Sequence, residues 1–154
     1  MCEIRFRAKQ THGQFSVSHN KAKSIFELIH CDIWGPYRKP SSEGPHYFLT
    51  IVDDASGATW VYLMREKGET SQLLKNFIII AHTRFGKSVK VMRSDNGSEF
   101  TSTLMQLFYM EKGILRQSNC IDAPQQNGRV EHKHCHIFNV ARPLLFQAHL
   151  PKQF

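Results

Sequence analysis

The sequence predicts one α/β domain, in which a mixed sheet carries a β-hairpin on one side. Three observations lead to this fold class. Short apolar runs rich in β-branched and aromatic residues occupy the first third of the chain. A helical pattern then connects the third run to a fourth, and a crossover of this kind lets two strands lie parallel in one sheet. Two further helical segments follow, separated by a short apolar run.

The first three strands are expected at residues 24–34, 46–52 and 59–64. Gly35-Pro36 should stop the first strand, and residues 37–45 should form a loop because they are rich in Pro, Ser and Gly. Residues 53–57 form a turn, so that the second and third strands pair as a hairpin. The first strand is expected to lie beside that hairpin.

A helix is expected at residues 69–85, because its apolar residues are spaced by three and four and Gly86 follows. The remaining elements are strand 88–94, helix 101–112 ending at Gly113, a short strand at 114–118, and a helix from residue 129 to about 148. Pro143 falls inside the last helix, where a proline costs about 3 kcal/mol or more unless the helix bends. We therefore expect a kink, or two helices meeting near Arg142.

Composition and charge limit the classes of function. The chain has 154 residues, of which 41% are hydrophobic and 21% charged, enough for one packed domain. Its formal net charge of +7 favours a polyanionic partner, nucleic acid before membrane, although a basic domain that binds nothing is the plain alternative. The four cysteines are scattered, which predicts an intracellular chain without disulfides. No run is long enough to span a membrane, and the first residues are too charged for a secretory signal.

Three acidic residues are candidates for one metal site. Asp32 ends the first apolar run, and Asp95 leaves the fourth just before Asn96-Gly97. If these strands are neighbours, the two acids lie side by side at the carboxyl ends, where ligands gather in α/β sheets. Glu131, separated from Asp95 by the 35 residues 96 to 130, lies in the first turns of the closing helix and could reach the same place. The alternative is that Asp95 only forms a turn and Glu131 is a surface charge.

The proposed chemistry follows from the charge of such a cluster. Three carboxylates a few ångströms apart cannot all stay ionised without a cation. Oxygen ligands suit Mg²⁺ or Mn²⁺, and two such ions about 3.5–4 Å apart stabilise the attacking and leaving oxygens of a phosphoryl displacement. The acids therefore predict metal-dependent phosphoryl transfer.

Several motifs together resemble the integrase catalytic core of copia-type LTR retrotransposons, particularly plant elements. They are FELIHCDIWGP at 26–36, YFLTIVDD at 47–54, RSDNGSEF at 93–100, PQQNG at 124–128 and NVAR at 139–142. They occur in the order typical of that family and extend across nearly the whole chain, so that the set is specific although no single motif is.

This resemblance implies a ribonuclease-H-like fold with a mixed five-stranded sheet flanked by helices. It implies a catalytic triad of Asp32, Asp95 and Glu131, which would bind Mg²⁺ or Mn²⁺. The implied activity is 3′-end processing and strand transfer of element DNA into host DNA, by a multimer working in the nucleus. The DNA-contacting positions that the resemblance and the basic closing helix suggest are Asn96, Gln125, Gln126, Asn127, Gly128, Arg129, Lys133 and Arg142.

The chain also departs from the family pattern. Residues 1–23 are interpreted as a basic arm that retains the end of an upstream zinc-binding module, and residues 24–154 as the catalytic core. Cys2 matches one expected cysteine, but Arg5 stands where the other is expected, so no complete zinc site is predicted. His132, Cys135 and Pro143 also differ from the expected residues. The chain is interpreted as a truncated polyprotein fragment.

His132 and His136 share a helix face with Cys135 nearby, but a DNA-facing basic helix that has lost arginines is a better interpretation than a zinc site. Trp34 and Trp60 are expected to pack in the domain and not to stack on bases. The alternative functions are a catalytically inactive nucleic-acid-binding remnant and a nuclease acting on RNA–DNA hybrids, against which the PQQNG motif argues.

Overall fold

The computed structural model describes residues 21–36, 44–118 and 128–147. The strands are β1 (Leu28–Trp34), β2 (Tyr47–Asp53), β3 (Thr59–Met64), β4 (Val91–Ser94) and β5 (Leu115–Ser118). The helices are α1 (Thr70–Phe85), α2 (Ser98–Thr101), α3 (Thr103–Lys112) and α4 (Gly128–Gln147), with a 3₁₀ turn at Lys67–Glu69 before α1. Most of the predicted basic arm and of the loop after Pro36 lies outside the described residues.

The five strands form one mixed sheet in the order β3-β2-β1-β4-β5. β2 pairs antiparallel with both β1 and β3, which confirms the predicted hairpin and the position of the first strand beside it. β4 runs parallel to β1 and to β5. The helical crossover between β3 and β4 therefore places β4 next to β1. This is the arrangement in which Asp32 and Asp95 were expected to lie side by side.

Two strands begin later than the sequence pattern predicts. β1 starts at Leu28 because the residues before it form a turn, in which Phe26 has a φ of 61° and Glu27 N–H donates to the Ser24 carbonyl. The Phe26 N–H donates to the Asp53 carboxylate at 2.8 Å and is thus used outside the strand ladder. β4 is regular only from Val91, because its partner β1 is not regular before Leu28.

Glycines in the left-handed conformation end α1 and α3, as predicted: Gly86 has φ 60° and Gly113 has φ 66°. The helix predicted at 101–112 is divided into α2 and α3. Ser102 separates them with extended backbone angles of φ −55° and ψ 148°, the conformation of a residue that precedes a helix. α4 runs through Pro143 as one helix, so the alternative of two helices meeting near Arg142 is wrong.

Alternation along the strands divides the sheet into two faces. Ile29 and Cys31 on β1 belong to the apolar core, which α1, α2 and α3 cover with Leu74, Phe100 and Met105. The other face is covered by α4, whose Phe138 ring contacts the Trp34 and Phe48 rings.

The two tryptophans pack as predicted. Trp60 lies on the core side, with its ring against Phe26 and Phe77. Trp34 stacks on Phe48 at 5.3 Å between ring centroids, under the closing helix. Among the described helices, none combines the length and the apolar character needed to cross a membrane. Cys31 and Cys135 are free thiols.

Candidate metal centre

Asp32 and Asp95 stand at the same level of two neighbouring strands. His30 on β1 is in register with Arg93 on β4, and the strands are parallel. Each aspartate lies two residues further along its own strand direction, Asp95 just past the end of β4. Because adjacent strands are about 4.8 Å apart, the chain positions of the two acids are close across the sheet. The Asp32 side chain is 21% exposed, and Asp95 is exposed.

The backbone around Asp95 is held by side-chain hydrogen bonds. Its own carboxylate Oδ1 accepts from the Gly97 N–H at 3.0 Å, which closes the turn after β4. The Arg116 guanidinium on β5 donates to the Asp95 carbonyl at 2.8 Å and to the Asn96 side-chain oxygen at 3.2 Å. A Cβ atom at Gly97 would lie 2.7 Å from the Glu99 carboxylate and 3.0 Å from the Asp95 carboxylate, so a larger residue there would require these side chains to shift.

The closing helix brings the third acid's segment to the same face of the sheet. The Glu131 backbone lies in the first turn of α4, and α4 packs on β1 and β2. The side chain of Glu131 lies outside what the structure describes, so the triad itself stays a prediction. Val130 beside it is fully buried, which anchors this turn of the helix.

His134 contacts both β1 and β2 from α4, and the residue pattern does not predict this position beside Asp32. Its Nε2 lies 2.9 Å from the Thr50 hydroxyl, and its Nδ1 lies 3.6 Å from the Asp32 carboxylate. The ring is edge-on to Phe48. Burial lowers the pKa of His134, because the charged imidazolium would lose its hydration. The signal available in sequence was its position three residues after Glu131, on the same side of a helix.

Asp53 and Asp54, the last two residues of the YFLTIVDD motif, stabilise the fold through hydrogen bonds. Asp53 accepts from the Phe26 N–H and from the Ser56 N–H and hydroxyl, so it shapes the turn between β2 and β3. Asp54 is buried and accepts from His30 Nε2 at 2.9 Å and from the Ala22 N–H at 2.6 Å. These carboxylates tie the start of the domain to the sheet.

The predicted DNA-contacting residues are only partly described. Asn96 is exposed on the turn after Asp95, and Lys133 is half-buried on α4. The backbones of Gly128, Arg129 and Arg142 belong to α4, and the side chains of the two arginines are not described. Gln125, Gln126 and Asn127 lie outside the described residues. These assignments therefore stay predictions.

The histidine and cysteine cluster of α4 does not form a metal site within the described part of the chain. His134 is turned into the sheet, whereas His132, Cys135 and His136 are exposed. Among the side chains that the structure describes, no three His, Cys, Asp or Glu groups are arranged to hold a metal ion.

The two described acids fit a hard divalent cation by their chemistry. Both supply carboxylate oxygens, which Mg²⁺ and Mn²⁺ prefer, and both are reachable from solvent. Their chain positions are neighbours across the sheet, and a cation bound by both carboxylates would offset the repulsion between their like charges.

Comparison with known proteins connects this architecture to a family. The integrase core domain family matches residues 23–124. The chain is 33% identical over 153 residues to the retrovirus-related Pol polyprotein from transposon TNT 1-94 of Nicotiana tabacum, a match that covers 99% of the chain and 12% of the polyprotein. It is 28% identical over 148 residues to the Pol polyprotein from transposon RE1 of Arabidopsis thaliana, covering 95% of the chain and 10% of the polyprotein. The chain thus spans about a tenth of the length of these curated relatives.

Solved structures share the fold at low sequence identity. A chain of the simian T-cell lymphotropic virus intasome in complex with PP2A regulatory subunit B56 gamma superposes with a TM-score of 0.66 at 18% identity. The match covers 85% of this chain and 45% of that one. The HTLV-2 integrase catalytic core domain in complex with magnesium, in its trimeric form, superposes with a TM-score of 0.57 at 21% identity, covering 82% and 76%.

These comparisons confirm the ribonuclease-H-like fold, a mixed five-stranded sheet flanked by helices. They also confirm the resemblance to retrotransposon integrase cores. The family match covers well over half of the chain and includes both strands that carry the aspartates. The protein belongs to the integrase core domain family.

Proposed function

We propose that this chain is a metal-dependent polynucleotidyl transferase core, which processes the 3′ ends of retrotransposon DNA and joins them to host DNA. The observation that carries the proposal is the placement of Asp32 and Asp95 at one level of two neighbouring parallel strands. Membership of the integrase core domain family supports the same chemistry. The proposed catalytic residues are Asp32, Asp95 and Glu131.

The three acids are proposed to hold Mg²⁺ or Mn²⁺, with two ions in the working site. When bound, such ions lower the pKa of a water or a DNA 3′-hydroxyl and stabilise the oxygen that leaves. Asp32 contributes from a regular strand, and Asp95 from a turn fixed by Gly97 and Arg116. Carboxylates on such rigid supports lose little freedom when they bind a cation. The magnesium in the HTLV-2 catalytic core structure supports this choice of ion.

DNA is the proposed substrate, both as element ends and as target. The net charge of +7 supports a polyanionic partner. Asn96 borders the acid site from the turn after β4, and Lys133 follows Glu131 on α4. We propose that these residues contact the DNA, together with Gln125, Gln126, Asn127, Gly128, Arg129 and Arg142. Because host DNA is the target, the protein would act in the nucleus.

A strand-transfer assay tests the proposal. The chain is incubated with a labelled DNA end, a target duplex and Mn²⁺, and joined product is quantified. Asp32→Asn and Asp95→Asn should each lower the rate by on the order of 100-fold or more, because an amide removes one negative metal ligand. Glu111→Gln serves as the matched control, since Glu111 is an exposed acid on α3 that pairs with the neighbouring Lys112.

The assignment of the acids would be wrong if the parent chain joins DNA and Asp95→Asn does so at the same rate. Unfolding curves of each variant should match the parent, because an exposed Asp95 and a partly exposed Asp32 add little to stability. A lower strand-transfer rate with an unchanged unfolding curve therefore indicates that the substitution affects the catalysed reaction and not the stability of the fold.

The second candidate is a nucleic-acid-binding remnant without catalysis. The observation in its favour is that His132 and Cys135 are exposed on α4 at positions where the family resemblance suggests arginines. Such a protein would keep DNA binding that weakens steeply with salt, because phosphate contacts release counterions. Salt-sensitive binding of a DNA duplex, with no joined or cleaved product in Mg²⁺ or Mn²⁺, would establish this alternative over the first.

We also propose that the active form is a homo-oligomer. Support comes from the solved relatives, one described as an intasome and one as a trimeric form. Sedimentation of the chain with and without a DNA end tests this. A single monomeric boundary in both samples would contradict it.

A further inference from the structure

The further inference concerns His134, a buried histidine in the second turn of α4. Its side chain is 8% exposed, and it points from α4 onto the face of the sheet that this helix covers. Glu131 precedes it by three residues, so both positions lie on the same side of the helix. His134 is therefore at the junction between the helix that carries one proposed metal ligand and the strand that carries another.

One imidazole ring is held by contacts to two strands. Its Nε2 lies 2.9 Å from the Thr50 hydroxyl on β2, and its Nδ1 lies 3.6 Å from Asp32 Oδ2 on β1. Thr50 and Asp32 are themselves cross-strand partners, directly opposite each other in the register. The Phe48 ring meets the imidazole edge-on at 5.2 Å and limits its rotation.

The chemistry of the partners determines the roles of the two nitrogens. An ionised carboxylate only accepts hydrogen bonds, whereas a threonine hydroxyl can donate or accept. In the neutral ring, Nδ1–H therefore faces Asp32 and Nε2 accepts from Thr50. The Nδ1–Oδ2 distance of 3.6 Å exceeds the roughly 2.7–3.2 Å of an N–H···O bond. At this distance it is an electrostatic contact and not a hydrogen bond.

We propose that His134 is a positioning residue that acts through Asp32. It would orient the Asp32 carboxylate toward the cation and keep the first turn of α4, with Glu131, in place over β1 and β2. This inference rests on the proposed function, because it presupposes that Asp32 is a metal ligand. Metal-binding carboxylates are commonly held by such neighbours, and removal of the neighbour costs about 10–100-fold in metal affinity.

A purely structural role is the competing explanation, since a buried histidine bonded to Thr50 also anchors the helix. Two substitutions separate the roles because they preserve different nitrogens. An asparagine places its amide near the position of Nδ1, facing Asp32. A glutamine reaches the position of Nε2, facing Thr50.

The experiment measures Mn²⁺ binding to the whole chain by isothermal titration calorimetry, with thermal unfolding of the same samples. His134→Gln should weaken Mn²⁺ binding by about 10–100-fold, whereas His134→Asn should stay within about threefold of the parent. Asp32→Asn is the positive control for loss of binding. His136→Gln is the matched control, because it changes an exposed histidine two positions further on the same helix.

The outcomes distinguish the inference from the proposed function. If the parent binds Mn²⁺ and Asp32→Asn does not, but His134→Gln binds as tightly as the parent, the positioning role is wrong. The same conclusion follows if the affinities of both His134 variants fall in proportion to their stability. If the parent does not bind Mn²⁺, or if Asp32→Asn binds equally well, the proposed metal site is wrong and the inference fails with it.

Discussion

Asp95 is held through its backbone as well as through its side chain. The Arg116 guanidinium donates to the Asp95 carbonyl and to the Asn96 side chain, and the Gly97 N–H donates to the Asp95 carboxylate. The orientation of the Asp95 backbone, and with it the direction of its side chain, therefore depends on Arg116 of the neighbouring strand β5. Arg116 lies 21 positions from Asp95 in the sequence, whereas Gly97 lies two positions away.

We predict that Arg116→Ala lowers strand transfer by on the order of 10–100-fold, because small displacements of a reacting group are costly. The free energy of unfolding should change by less than about 1 kcal/mol, since these bonds are solvent-exposed. Arg84→Ala, which removes an exposed arginine from the last turn of α1, is the control. Parent-like strand transfer by Arg116→Ala would show that the Asp95 turn keeps its geometry without the guanidinium.

The two described cysteines differ in environment and should differ in reactivity. Burial raises the pKa of the Cys31 thiol, and the adjacent Asp32 charge raises it further. Cys135 is exposed on α4. Because the thiolate is the nucleophile, iodoacetamide should modify Cys31 at least about 100-fold more slowly than Cys135 in the folded chain. Peptide mass spectrometry before and after addition of urea measures both rates. Similar rates in the folded chain would contradict the described burial.

At the scale of the elements, α4 carries Glu131 of the proposed metal site and packs on strands β1 and β2. Its contacts with the sheet include the polar contact of His134 with Thr50 and the aromatic contacts of Phe138 with Trp34 and Phe48. Pro143 lies beyond these contacts, four residues before the helix ends at Gln147. It is exposed and cannot donate the hydrogen bond that the helix would make at this position.

We predict that Pro143→Ala stabilises the chain. Alanine restores the missing N–H and removes the steric conflict, which is worth up to about 3 kcal/mol in a helix interior and less near an end. Urea unfolding should show a higher midpoint with an unchanged dependence on urea. A lower midpoint would mean that the proline supports a packing arrangement that alanine cannot adopt.

At the scale of the whole molecule, a buried pair joins the start of the domain to the sheet. Asp54 follows β2 and is 2% exposed. It accepts from His30 on β1 and from the Ala22 N–H, while its own N–H donates to the Leu28 carbonyl. Asp54 thus links the turn after β2 to β1 and to the segment that precedes β1.

We predict that Asp54→Ala lowers the free energy of unfolding by about 3 kcal/mol, because buried hydrogen-bonding groups lose their acceptor. Asp54→Asn should cost less, since its amide oxygen still accepts. Urea denaturation of the three proteins measures both differences. Equal stability of Asp54→Ala and the parent would contradict the assigned role.

Much of the fold could be predicted from residues that act locally. The order of strands and helices followed from periodicity, and the ends of α1 and α3 followed from Gly86 and Gly113, which take left-handed angles that other residues disfavour. The position of Asp95 at the exit of β4 followed in the same way. Asp32 was expected at a strand end, but it lies inside β1, two residues before the strand ends at Trp34. The late start of β1 could not be predicted, because it depends on Asp53, 27 positions away from Phe26.

By itself, the sequence determined the class of fold, the family and the two strands that lead to Asp32 and Asp95, since these depend on local patterns and on motifs. The tertiary structure alone decided which residues surround those acids. His134 meets Thr50 across 84 positions, and Arg116 reaches Asp95 across 21. Such contacts depend on strand register and on the packing of a helix against a sheet, and neither leaves a periodic signal in the chain.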